Sequence, residues 1–170
     1  MRKNAALVIA VAVIWAGGSA PATSAEPETH CKFASEVNLS PGLSVKPTSG
    51  TFSSDGENGR VECDGPVRGI HPVRPGTLGV MGRYGTKDPD TCFAGEGEGR
   101  FSFTFPTAQG PGKRSNVFTF SFSLVGGPSG GFQGDGFGGS FDDVRPENGD
   151  CLVNPVTKVA IQGHGTITRQ

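Results

Sequence analysis

Three features of the 170-residue chain predict an all-β exported domain: short runs alternate between apolar and polar residues, glycine or proline interrupts nearly every stretch long enough for a helix, and four cysteines follow an N-terminal apolar segment. The favoured architecture is a single antiparallel β-barrel of about eight strands stapled by two disulfides, with a β-sandwich as the alternative.

The first element is not part of the fold. Met1 to Asn4 is positively charged, Ala5 to Ala16 is apolar, and Thr23-Ser24-Ala25 offers small residues for cleavage, so residues 1–25 read as a signal peptide and residues 26–170 as one secreted domain. The apolar run is shorter than the roughly 20 residues a spanning helix needs, and no stable membrane span is expected after cleavage. The expected location is extracellular or in the cell envelope.

The strands follow in order. Val37 and Leu39, then Leu43 and Val45, flank a turn at Ser40-Pro41-Gly42. Val61 and Cys63 alternate with Arg60, Glu62 and Asp64, and Leu78, Val80 and Tyr84 alternate with Thr77, Met81 and Arg83. In RFSFTFP, Phe101, Phe103 and Phe105 share one face; in VFTFSFSLV, Phe118, Phe120, Phe122 and Leu124 do the same. Period-two alternation sends these six rings in one direction, into a core. The 106–116 segment between them reads as a hairpin loop with Lys113 and Arg114 near its tip. Phe132, Phe137 and Phe141 anchor one or two glycine-rich strands, and Val159, Ile161 and Ile167 oppose Lys158, Gln162, His164 and Thr166 in the last. Inward glycines such as Gly82 and Gly163 would leave room inside a barrel.

Charge and composition remove some function classes. Without residues 1–25 the chain holds 13 basic and 16 acidic residues, a net charge of −3, which offers no basic field for nucleic acid or a membrane surface. The single tryptophan, Trp15, lies in the leader, so the aromatic set is one tyrosine and twelve phenylalanines, a poor platform for sugars. Cys31, Cys63, Cys92 and Cys151 are an even set in an exported chain and read as two disulfides. Of the three pairings, 31 with 63 and 92 with 151 closes each half separately; spacing alone does not decide it. No C-x-x-C or clustered histidine accompanies the cysteines, and neither a metal nor a cofactor is expected.

Several catalytic patterns occur and are weighed against blander explanations. Gly134-Asp135-Gly136-Phe137-Gly138-Gly139 matches G-x-G-x-x-G, but a dinucleotide site needs a following helix whose N-terminus holds pyrophosphate. Gly127-Pro128-Ser129-Gly130-Gly131 matches G-x-S-x-G, and Ser129, Asp142 or Asp143, and His164 follow the chain order of α/β-hydrolases. The elbow needs a strand-to-helix turn, and two glycines follow this serine instead. Glu96 and Glu98 would share a strand face, at a spacing compatible with paired carboxylates, but adjacent acids on a solvated face are much commoner and no Trp or Tyr sits nearby to hold a sugar.

The segments LSPGLS, GxxxCDGPVRG, GPGKRSNVFTFSF and GDCLVNPVTKVAIQGHGTI together resemble small exported proteins of actinobacteria whose function is uncharacterised. That resemblance implies a compact, all-β, disulfide-bearing secreted domain and transfers no catalytic residue.

The leading expectation is a secreted, non-enzymatic domain that binds an extracellular or envelope partner through surface loops, those at 106–116 and 126–131 above all. The candidate binding residues are Lys113, Arg114, Phe103 and Phe120. The alternatives are a carrier of a small hydrophobic ligand inside the barrel, and a serine hydrolase or barrel isomerase.

Overall fold

The computed structural model describes residues 28–107, 112–125 and 129–168. Nine strands and no helix occur among them: β1 (Thr29–Leu43), β2 (Gly50–Ser53), β3 (Gly59–Cys63), β4 (Gly76–Tyr84), β5 (Ala94–Pro106), β6 (Lys113–Val125), β7 (Gly130–Gly134), β8 (Phe137–Pro146) and β9 (Val156–Ile167). All pair antiparallel in one sheet, and β9 returns to β1 along most of its length, from Thr29↔Ile167 to Asn38↔Lys158. The sheet therefore closes into a ring of eight staves. β2 and β3 share one stave: β3 pairs the first half of β1 and the start of β4, while β2 pairs the second half of β1 and the end of β4. Closure pairs β1 with β9 and so removes the two free edges an open sheet would have, though β7 is short and covers β6 only from Phe120 to Leu124.

β1 differs from the expectation at Ser40-Pro41-Gly42. These residues are not a turn between two strands; β1 runs through them to Leu43, with its register against β9 shifting between Asn38 and Leu43. Proline lacks the N–H a ladder needs and is accommodated where register breaks. The hairpin loop after β5 is also shorter than expected. Lys113 and Arg114 pair with Pro106 and Phe105, so they are strand residues of β6 and not the loop tip.

Alternation along the staves delivers the predicted core. Phe101, Phe103, Phe105 and Phe118 are wholly buried, Phe120, Phe132, Phe137 and Phe141 nearly so, and Phe122 lies half-buried beside them. Phe101 stacks on Phe120 with centroids 4.1 Å apart, while most other ring pairs meet edge-on or tilted, as aromatic quadrupoles favour. The inward glycines are where the expectation fails in detail. A Cβ on Gly82 would stand 2.4 Å from Cζ of Phe52, and one on Gly163 would stand 2.7 Å from Cζ of Phe33. Those glycines leave no ligand space; they let rings lie directly against backbone.

The two ends of the barrel are finished differently. At one end the loop between β3 and β4 folds inward as a plug. Val67 and Ile70 exchange backbone hydrogen bonds of 2.8 and 2.9 Å and are buried, and Asn116 Nδ2 donates to the Val67 carbonyl at 2.9 Å. Arg68 lies across Phe118, 4.4 Å from the ring centroid, and donates to the carbonyls of Val117 and Asp135. The Cys31–Cys63 disulfide joins paired residues of β1 and β3 at this end. At the other end Cys92–Cys151 ties the loop before β5 to the loop before β9. The expected pairing of the four cysteines is thus the observed one, and two disulfides are typical of extracellular proteins.

Candidate functional site

The unplugged end opens into an apolar cavity of about 440 Å³, within the range of small-molecule sites. Its walls come from the mouth halves of the staves: Val37 and Leu39 of β1, Phe52 of β2, Val80 and Tyr84 of β4, Phe120, Phe122 and Leu124 of β6. Phe141 and Val144 of β8 and Val156, Val159 and Ile161 of β9 complete the ring, and the Cys92–Cys151 disulfide stands at the rim. Beside that disulfide Phe93, Leu152 and Val153 are exposed by 61%, 72% and 81%.

The cavity exists because large side chains are distributed unevenly along the barrel. The plugged half carries Phe103, Phe105, Phe118 and Phe137 in contact with one another, centroids 5.1 to 6.3 Å apart, with Val67 and Ile70 beneath. In the mouth half valines, leucines and Ile161 share the lining with Phe52, Phe101, Phe120, Phe122 and Phe141, around an open volume.

Few polar groups reach this cavity. Asp90, two residues before the disulfide cysteine, is 4% exposed. Both its carboxylate oxygens accept from Glu96 N–H at 3.1 Å, and its backbone exchanges hydrogen bonds with Thr48. Burial raises its pKa above the usual carboxylate value, opposed by the backbone donors of Glu96 and Gly85. Tyr84, equally buried, donates its hydroxyl to the Pro41 carbonyl; burial, then the nearby Asp90 charge, raises its pKa. Asp150 at the rim accepts backbone N–H groups from Leu152, Val153 and Asn154 at 3.0, 2.7 and 2.9 Å, and these donors hold its pKa below the ordinary value.

The four candidate binding residues fall apart in space. Phe120 lines the cavity. Phe103 belongs to the packed half, and Lys113 and Arg114 are exposed at the start of β6, at the plugged end. Part of the 106–116 loop, residues 108–111, lies outside the described residues, as do residues 126–128 of the other loop.

The catalytic patterns resolve into β structure. G-x-G-x-x-G is the β7–β8 hairpin, turning at Gly136 with φ of 73°, and no helix follows it. Ser129 leads into β7 and makes no hydrogen bond to His164. A different serine does: Ser140 Oγ lies 3.4 Å from His164 Nε2, and His164 Nδ1 lies 2.9 Å from Asp142. A β-bulge between Phe141 and Asp143 inserts Asp142 into the strand and turns it outward beside the histidine. This Ser140–His164–Asp142 relay stands on the outer wall, with the side chains of His164 and Asp142 more than half exposed. Glu96 and Glu98 form ion pairs with Lys87 and Arg83 at 3.2 and 2.6 Å, outside the barrel.

Asp90 and Ser140 escaped the sequence reading. Asp90 sits in a loop without periodicity, and Ser140 meets His164 only once the β8–β9 register is known.

Compared with protein-family models, with curated proteins and with solved structures, the chain matches none.

Proposed function

We propose that the protein is a secreted carrier of a small apolar molecule, held in the mouth half of the barrel. One observation carries this reading: a closed barrel that packs one half with phenylalanine to zero exposure leaves the other half lined by apolar side chains around an open volume of about 440 Å³. Apolar pockets of this kind gain free energy when a ligand removes their surface from water. The cavity supports the carrier reading over binding through surface loops, the expectation that led in sequence. The enzyme alternatives have less support. The outer-wall serine relay lacks shielding from water, on which a catalytic imidazole depends. Export through the N-terminal leader and maturation by disulfide formation accompany the proposal, since both suit a protein that meets its ligand outside the cell.

The test is titration of the mature protein with N-phenyl-1-naphthylamine, a neutral apolar fluorophore. Saturable, blue-shifted emission is expected from the native protein, and Val159→Trp, which builds an indole into the cavity wall, should weaken it by about tenfold or more, equivalent to roughly 1.4 kcal/mol. Unsaturable emission, or equal affinity in a Val159→Trp protein that unfolds at the wild-type midpoint, would overturn the proposal.

A further inference from the structure

An apolar wall does not by itself distinguish fatty acids from alcohols or amines; the few polar groups in a site do that. Among the described residues lining the cavity there are two carboxylates, Asp90 and Asp150, and no lysine, arginine or histidine. An incoming carboxylate would find no cationic partner and would face like charge in a poorly solvated space. Asp150 is at the rim and already accepts three backbone N–H groups. Asp90 is the deeper group. The Glu96 N–H donates to both of its oxygens at 3.1 Å, and an ionised carboxylate offers about four lone-pair sites. The Tyr84 hydroxyl, part of the same lining, is directed to Pro41 and leaves Asp90 with acceptor capacity. A ligand head group able to donate hydrogen bonds would complete it, and a cationic one would also compensate its buried charge.

We infer that the cavity selects amphiphiles whose head group donates hydrogen bonds, ammonium above hydroxyl, and rejects those ending in a carboxylate, with Asp90 as the residue that reads the head group. This inference rests on the carrier reading, to which it adds a ligand class.

The experiment displaces N-phenyl-1-naphthylamine with three probes of equal chain length, dodecylammonium, dodecanol and dodecanoate, at neutral pH and below their aggregation limits. The wild-type protein should bind dodecylammonium at least about tenfold more tightly than dodecanoate, with dodecanol between. Asp90→Asn should bring dodecylammonium to the dodecanol level and relieve the exclusion of dodecanoate. The wild-type order decides the matter alone should that variant fail to fold. Dodecanoate binding as tightly as dodecylammonium, or an order unchanged in a folded Asp90→Asn protein, overturns the selectivity and leaves the carrier reading standing. Failure of the fluorophore and of dodecanol to bind at all removes both.

Discussion

Removing each disulfide in turn separates the mouth from the plugged end, and the magnitudes follow from the positions of the cysteines. Cys31–Cys63 closes a loop of 32 residues and Cys92–Cys151 one of 59. The chain-entropy relation gives roughly 3.7 and 4.3 kcal/mol of stabilisation at 25 °C, so the two are close to equal in global stability. Their local consequences differ. Cys31 and Cys63 are partners in the β1–β3 ladder, whose hydrogen bonds remain when the sulfurs go. Cys92 and Cys151 join two loops at the cavity rim that share no ladder and are otherwise linked through single backbone hydrogen bonds to Ser44 and Val45. Cys31→Ala/Cys63→Ala and Cys92→Ala/Cys151→Ala should therefore lose similar free energy in urea unfolding, about 2–5 kcal/mol each. Only the second pair should also weaken fluorophore binding, by about fivefold, because a loosened rim must be ordered again on binding at a cost of about 1 kcal/mol. A folded Cys92→Ala/Cys151→Ala protein that binds like wild type, or equal weakening in both variants, would refute the assignment of the rim to the binding site.

Two further outcomes follow from the interior. Gly163→Ala should destabilise by about 1–3 kcal/mol in thermal or urea unfolding, since the added Cβ would meet the Ser140 carbonyl at 2.4 Å and Phe33 at 2.7 Å; a neutral effect would contradict the ring-on-backbone packing. Asp90 has a folded pKa raised above its ordinary value of 3.8, so the folded chain holds that proton more tightly than the unfolded one. Its contribution to stability is greatest below the ordinary value and declines as pH rises through the raised one. Urea midpoints measured on either side of that window should converge toward those of Asp90→Asn at the acid end, and a pH-independent difference between the two proteins would contradict the burial of this group.

Much of the barrel was legible because its signals are local. The Phe101–Phe105 and Phe118–Phe122 alternation specifies two neighbouring strands and their inward face whatever the global topology. Even the glycine-rich stretch from Gly130 to Phe141 yields to the same rule, with Phe132, Phe137 and Phe141 all inward. What sequence did not show depends on register and closure. That β2 and β3 occupy one stave follows from pairing with both β1 and β4, and continuation of β1 through Pro41 depends on neighbours that hold the strand across a register shift. The bulge at Asp142 turns an extra side chain outward, which no alternation pattern anticipates. The site was legible only in its aromatic wall. Phe120 was named from periodicity, whereas Asp90 owes its burial to a loop folded over the mouth and tethered through Cys92. Lys113 and Arg114 read as a loop tip because Gly110-Pro111-Gly112 breaks the pattern just before them.

The most direct measurement of the central claim is methyl NMR of the mature protein titrated with dodecanol. Val80, Val144, Val156 and Val159 line the mouth half, and Val61, Val67 and Ile70 sit in the plugged half. Saturable shifts are expected at the first set, enlarged by the rings of Phe120 and Phe122, with the second set unmoved. Shifts confined to outward residues such as Val117, or no saturable shift at any of the mouth valines, would contradict it.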